Sequence, residues 1–434
     1  MTKDDSQILI VGAGPAGIAT ALFLAKKGIP SKLIDKEFFP RDKICGDGLS
    51  GWVISMLYKL DMGLVEELAN DKRALDSWGI SFVAPNLKRL TLPYQNKKRP
   101  DEAPGYVIRR TDFDDLLIKK VKENPLIELV EGVKISGYKE LPDGVEISDS
   151  SGRKVFKGDV VVFADGAGSQ FAKEPGGIQR EDKHTATGIK VYYSGIKPRL
   201  EALGFRLEYE YKEEGMSNEL GNSVEFYFLK SVLPGYLWIF PLPDGGANVG
   251  MGIRTDIMKK KKIKLKKALF DAIRDTPELK ERFKDAEQIG SVQAWGLPLG
   301  SKKRSLSGNR FLLAGDAASL IDPFTGEGIG NALNSGFHAA EHLAECFKEN
   351  RFDSAFNQKY DKRVYDKLWK ELRMSTVIQK LIIKPWLFSW VMNKAVSNEY
   401  LKKSFIRMID DLEEREKLRR VGFYWKVLFA AKGR

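Results

Sequence analysis

Fully apolar runs alternate along this chain with two-fold and 3.6-fold patterns, and each pattern calls for a different element. Of four short runs, Gln7 to Val11, Ser31 to Ile34, Gly158 to Ala164 and Phe311 to Ala314, all but the second are mostly apolar, and the second is a strand that ends at Asp35. Such runs predict strands buried on both faces, as in a parallel sheet. Pro15 to Lys27 has a helical pattern with Gly28 as its stop. Arg110 to Asn124 predicts a helix with Leu116, Leu117, Ile118 and Val121 near one face, and a further helix runs from about Gly328 to Glu349. Asp71 to Tyr94 alternates apolar and polar residues around a Pro85-Asn86 turn, which predicts antiparallel strands. Ile127 to Phe163 reads as short strands with a turn at Asp143-Gly144, and Thr185 to Gly252 is mostly strands rich in aromatics. Lys259 to Arg282 predicts a basic amphipathic helical region, and Arg351 to Arg434 reads as helical and aromatic. No internal repeat or low-complexity linker separates these segments, so the domains are expected to interleave.

Composition narrows the class. At 434 residues the chain exceeds one simple core, and its 43% apolar content is that of a globular protein. No apolar stretch reaches the length of a spanning helix. The polar start Met1-Thr2-Lys3-Asp4-Asp5-Ser6 is unlike a signal peptide. Two distant cysteines, Cys45 and Cys346, argue against a disulfide scaffold and for a cytoplasmic location, with a peripheral position at the inner face of the membrane left open. The net charge of +12 is concentrated late: Arg351 to Arg434 holds 20 Lys/Arg against 10 Asp/Glu. An anionic membrane surface or an acidic protein suits that charge; no nucleic-acid motif accompanies it, so no nucleic-acid partner is expected.

Three islands follow the buried strands. Gly12-Ala13-Gly14-Pro15-Ala16-Gly17 joins a strand to a helix, and Asp35 ends the next strand. In that context Gly12 allows the turn, Gly14 admits a pyrophosphate, Gly17 brings helix onto strand, and Asp35 suits a ribose hydroxyl. Asp165-Gly166 follows the third run and Gly315-Asp316 the fourth. Asp322-Pro323-Phe324-Thr325-Gly326-Glu327-Gly328-Ile329-Gly330 then leads into the last helix of this part. In this order and spacing the islands resemble those of aromatic-hydroxylase-like flavoproteins. The resemblance implies FAD, with Asp316 on a ribityl hydroxyl and Gly328-Ile329 close to the flavin ring.

Between the islands lie Arg41-Asp42-Lys43-Ile44-Cys45-Gly46-Asp47-Gly48, Arg110-Thr111-Asp112, and Tyr236-Leu237-Trp238-Ile239-Phe240-Pro241 followed by Gly250-Met251-Gly252. These segments resemble the geranylgeranyl reductase family over roughly residues 5 to 345. The fold expected is α/β: a discontinuous Rossmann-type FAD-binding domain (1–72, 105–175, 291–348), an antiparallel β-sheet substrate domain (73–104, 176–290) and a C-terminal helical region (349–434). The resemblance implies an FAD-dependent reductase of carbon–carbon double bonds in a geranylgeranyl-type lipid, with hydride from reduced flavin N5. A flavin-dependent monooxygenase or halogenase on the same scaffold is the alternative; a halogenase needs a lysine above the flavin, which no pattern here assigns. The cofactor-binding set is Gly12, Gly14, Pro15, Ala16, Gly17, Asp35, Lys36, Arg41, Cys45, Gly46, Arg110, Asp165, Gly166, Gly315, Asp316, Gly328 and Ile329. Lys43 is a further candidate beside Arg41. Cys45, Tyr236 and Trp238 are the catalytic candidates. NAD(P)H or a ferredoxin would supply electrons, and no metal is expected.

Three other patterns have plainer readings beside the functional ones. His338-Ala339-Ala340-Glu341-His342 matches a zinc-hydrolase motif but lies in the helix that follows the third island. Lys259 to Lys267 reads as a solvated helix face. Leu381 to Met392 and Arg419 to Phe429 mix apolar, aromatic and basic residues, as expected either of a membrane interface or of helices packed over a substrate pocket.

Overall fold

The computed structural model describes residues 8–93, 102–197 and 222–396. Its centre is a six-stranded sheet in the spatial order Ser307–Gly308, Phe311–Leu313, Val160–Phe163, Ile8–Val11, Ser31–Ile34, Ile127–Val130. All pairs are parallel except the Ser307–Gly308 edge. Ile8–Val11 and Val160–Phe163 are buried at every position, as their unbroken apolar pattern requires. A three-stranded antiparallel meander, Ile135–Glu140, Val145–Asp149 and Val155–Gly158, lies on the crossover into Val160–Phe163. Helices Pro15–Ala25 and Arg110–Lys122 pack on the parallel sheet, and Ile329–Glu349 packs on Pro15–Ala25.

A second sheet has seven strands, ordered Glu287–Pro298, Thr185–Ser194, Ala247–Arg254, Tyr236–Pro241, Val224–Tyr227, Gly79–Val83, Arg89–Pro93. It is antiparallel with one exception: Val224–Tyr227 runs parallel to Gly79–Val83. Ile127–Val130 and Val160–Phe163 of the first sheet lie between these two strands in the chain, and that long crossover permits a parallel pair. A hairpin turn at 84–88 joins Gly79–Val83 to Arg89–Pro93, around the expected Pro85-Asn86 turn.

The region expected to be basic and helical, Lys259 to Arg282, holds three helices, Thr255–Lys260, Leu265–Asp275 and Pro277–Arg282. Lys262 at φ +55 breaks the first join and Pro277 opens the third helix. These helices cover one face of the seven-stranded sheet through Leu265, Leu269, Leu279 and Phe283. Its other face is aromatic and meets Ile382, Phe388, Met392 and Ala395, from the turn after helix Ser354–Leu381 and from helix Pro385–Val396. Part of the segment Leu381 to Met392 thus packs on the aromatic face of this sheet. On the outer side Leu381, Ile383 and Trp386 remain exposed, Trp386 at 68%. No helix among the described residues is long and apolar enough to cross a membrane. Arg419 to Phe429 lies outside the described residues.

Candidate functional site

The parallel sheet delivers all three islands to one edge. Phe311–Leu313, Val160–Phe163, Ile8–Val11 and Ser31–Ile34 are consecutive neighbours, so Gly315, Asp165, Gly12 and Asp35 emerge side by side. Gly12 holds φ +102, and a Cβ there would lie 2.4 Å from the Ala164 carbonyl oxygen. A side chain is thereby excluded twice, and the first island abuts the second. A Cβ at Gly17 would lie 1.9 Å from the Gly12 oxygen. Gly315 approaches the Ala16 methyl, and Gly328 approaches Asp316 Oδ1. Pro15–Ala25 and Ile329–Glu349 both start here, with Gly14 and Gly328 as their N-caps. Two helix N-termini at one sheet edge favour an anionic group between them.

The Asp35 carboxylate accepts from the Ala13 N–H at 2.6 Å and the Glu37 N–H at 2.9 Å. It therefore shapes the glycine turn as well as facing the site. Lys36 is exposed and pairs with Glu37 at 3.5 Å. Arg110 is buried and clasps Asp114 through two hydrogen bonds of 2.8 and 2.7 Å. Arg41 Nη1 reaches the same carboxylate at 2.9 Å, and its Nη2 donates to the Ala13 carbonyl at 3.5 Å. Both arginines are thus interior ion-pair members rather than surface pairs. Burial raises the Asp316 carboxyl above its ordinary range, while Lys43 and Arg110 pull it back. Burial likewise pushes Asp165 up to about 6, and Ser169 opposes this.

One buried polar atom in this cluster, Asp165 Oδ1, has no hydrogen-bond partner among the described residues. It is an acceptor, and an orphaned buried group of this kind is costly without a ligand. A dinucleotide's hydroxyls supply the complementary donor. The residues present therefore fit FAD.

The segment Cys45 to Gly48 runs from this edge onto the aromatic sheet. A Cβ on Gly46 would lie 3.2 Å from Phe240, and one on Gly48 2.9 Å from it. Cys45 also interacts with the Arg110 guanidinium. Tyr236, Trp238 and Phe240 alternate on one strand and face the same way. Phe226, Phe228 and Trp295 extend their aromatic wall. The Tyr236 hydroxyl donates to the Thr325 carbonyl, tying the wall to the segment before Gly328. Burial, reinforced by Asp322, raises its pKa, so it keeps its proton. Gly250 pairs with Trp238 across the sheet, and its missing side chain makes room for the indole. Gly250-Met251-Gly252 is therefore a seat for an aromatic ring within a strand, with no helix opening at it.

Three polar residues at this junction, Lys190, Tyr192 and Asn248, carried no signal of their own in the sequence. Lys190, Asn248 and Asp47 are fully buried, and Tyr192 joins them. Lys190 and Tyr192 alternate with Ile189 and Val191, which reads as a solvent face at period two. Only the docking of the Cys45 segment turns that face inward. The histidine motif divides: His342 Nε2 lies 2.9 Å from Asn357 Oδ1, while Glu341 pairs with Lys27 at 2.7 Å. In the lysine run, Lys259 pairs with Asp182 and Lys267 with Asp271, as on a solvated face.

Comparison with known proteins agrees with this geometry. The FAD binding domain family matches residues 5–216, and the geranylgeranyl reductase catalytic domain family matches residues 207–292. A digeranylgeranylglycerophospholipid reductase of Thermoplasma acidophilum is 29% identical over 387 residues, 86% of this chain and 87% of that protein. A menaquinone reductase of Mycobacterium tuberculosis is 28% identical over 362 residues, 79% of this chain and 78% of that one. The crystal structure of a geranylgeranyl bacteriochlorophyll reductase-like protein from Thermoplasma acidophilum superposes with TM-score 0.76 at 22% identity, over 99% of this chain and 96% of that one. At that identity the superposition establishes the fold.

Proposed function

We propose that this chain, which belongs to the geranylgeranyl reductase family of FAD-dependent oxidoreductases, reduces carbon–carbon double bonds in an isoprenoid lipid of geranylgeranyl type. The observation that carries the reading is the meeting of two segments: Cys45 to Gly48 leaves the converging islands and lies directly on Trp238 and Phe240. An apolar, aromatic wall thereby borders the cofactor edge, and its chemistry suits a hydrocarbon chain. The named relatives, a digeranylgeranylglycerophospholipid reductase and a menaquinone reductase, support the substrate class.

The hydride for one alkene carbon would come from bound, reduced FAD, and the proton for the other from water or a side chain. Gly12, Gly14, Pro15, Ala16 and Gly17 with the two helix N-termini would cradle the pyrophosphate. Asp165 and Asp316 would accept from ribose and ribityl hydroxyls, with Arg41, Lys43 and Arg110 balancing their charge. Gly166, Gly315, Gly328 and Ile329 would line the ring side. Cys45, Tyr236 and Trp238 would hold the alkene in alignment and exclude water. An isolated alkene is a poor hydride acceptor, so alignment carries much of the rate. NAD(P)H or a ferredoxin would reduce the flavin, and the basic aromatic C-terminal part would meet the membrane from which the lipid is drawn.

The test is anaerobic incubation of the purified protein with dithionite and geranylgeranyl lipids, followed by mass analysis. A gain of two hydrogens per double bond is expected. No reduction of any prenyl lipid, together with turnover under oxygen, would replace this reading with a monooxygenase or halogenase.

A further inference from the structure

The junction between the cofactor edge and the aromatic sheet is held by a buried polar set that neither a flavin nor a hydrocarbon explains. Asp47 has no exposed surface and sits at φ +67, a region that residues with side chains seldom enter. Its Oδ2 accepts from Tyr192 Oη and from Asn248 Nδ2, each at 2.7 Å, and its Oδ1 lies 3.3 Å from the Arg110 N–H. Tyr192 accepts in turn from Lys190 Nζ at 2.9 Å. Asn248 spends its second amide proton on the Cys45 carbonyl at 2.8 Å, and its oxygen accepts Trp238 Nε1–H at 2.9 Å. A single connected network therefore grips the Cys45 turn and the Trp238 indole together.

The charges around Asp47 come from several elements. Lys190 and, beyond it, Asp42 at 3.7 Å lie on one side. Arg109, held by Asp244 at 2.7 Å, and Arg110, held by Asp114, lie on the others. Burial raises the Asp47 carboxyl, and Lys190 is the strongest opposing influence. A buried carboxylate left without such a counter-charge would be strongly disfavoured.

We propose that Asp47 is a positioning residue: through Asn248, Tyr192 and the Lys190 ammonium it fixes the Cys45–Gly46 edge against Trp238, so that the flavin side and the lipid side of the pocket hold one geometry. The inference deepens the reductase reading and rests on it for its kinetic consequence only.

Cysteine alkylation reads the turn without any turnover. Cys45 is half-buried, whereas Cys346, the only other cysteine, is fully buried with its thiol pushed up to about 12. Tyr192→Phe keeps the ring and cuts the link to Lys190. Asp47→Gly removes the carboxylate and relieves the backbone constraint at once. In FAD-loaded protein each variant should speed Cys45 alkylation about tenfold, the scale of one lost hydrogen bond to a charged group. The visible circular dichroism of the bound flavin should change with it. Per bound flavin, kcat for prenyl reduction should fall about tenfold with KM held within about twofold, the pattern of lost alignment. Asp47→Asn, which retains an acceptor oxygen, should recover part of each effect. Wild-type alkylation rates and flavin dichroism in Tyr192→Phe would overturn the proposal, even where Asp47→Gly fails to fold. Wild-type protein that reduces no prenyl lipid would sink the reductase reading, while the alkylation and dichroism measurements would still decide the role of Asp47.

Discussion

Gly250→Ala isolates the packing that shapes the aromatic wall. A Cβ at this position would stand 2.0 Å from Trp238 Cζ2, 2.5 Å from Cε2 and 2.4 Å from the Ile189 carbonyl oxygen. The indole could relieve the first two contacts only by swinging away from the strand. It is pinned by its hydrogen bond to Asn248 and by the Trp295 ring at 6.3 Å. The third contact is with the backbone of a neighbouring strand and cannot swing at all. Against this, alanine in a strand regains about 0.5–1 kcal/mol that glycine loses in backbone entropy. Overpacking costs about 1–3 kcal/mol, and loosening the indole's hydrogen bond adds about 1 kcal/mol. The clash wins, and the net loss expected is roughly 1–3 kcal/mol. Gly252→Ala is the internal control, because its Cβ would meet Trp238 at 3.8 Å and the Thr187 oxygen at 3.9 Å, which is ordinary contact. That variant should match the wild type or gain up to about 1 kcal/mol. Urea unfolding of the FAD-loaded proteins gives the stability, and anaerobic reduction of a geranylgeranyl lipid gives the function. Gly250→Ala should lower the midpoint and depress turnover with flavin content retained. Equal midpoints for the two alanine variants would refute the idea that the Gly250-Met251-Gly252 stretch exists to seat Trp238.

Gly12→Ala should yield protein with little or no bound FAD, judged by absorbance after purification, because φ +102 and the Ala164 oxygen both exclude a methyl; a fully yellow variant would contradict this. Asp165 bears on pH. Its folded carboxyl at about 6 lies above its ordinary 3.8, so the folded state binds its proton more tightly. The stability it contributes is full below pH ~4 and is lost as pH rises through ~6. In FAD-free protein, Asp165→Asn should flatten that fall by roughly 1–3 kcal/mol, and unchanged pH curves would count against the burial argument. Arg282→Met breaks a buried network in which Arg282 and Arg89 hold Glu225, at 2.8 and 2.7 Å, below Tyr227. Its expected cost is about 3–5 kcal/mol with flavin content per folded molecule unchanged; a flavin defect would show that the network reaches the site.

What could be read from the sequence follows from how each feature is encoded. The islands were legible because each rides on a strand buried on both faces, and such strands announce themselves as unbroken apolar runs. Their adjacency follows from sheet order, which places Val160–Phe163 beside Ile8–Val11 and which local pattern does not carry. The arginines at 41 and 110 were found as residues, but their common partner was not. Asp114 lies one helical turn after Arg110, in a run of acids that reads as solvated, and only the helix's packing against the sheet buries it. Lys190, Tyr192 and Asn248 were missed for a similar reason. In a strand, polar residues at period two mean a wet face unless another part of the chain lies on it. Here that part is the Cys45 segment, whose Asp47 lies 145 residues before Tyr192. The motif that names the family and the polar residues that hold it in place thus obey different codes. The first is local and survives as a string of residues; the second exists only once Cys45–Gly48 has docked on the strand of Trp238. Variation at Lys190, Tyr192 or Asn248 should therefore track changes in the Cys45 turn rather than changes in the neighbouring strand residues.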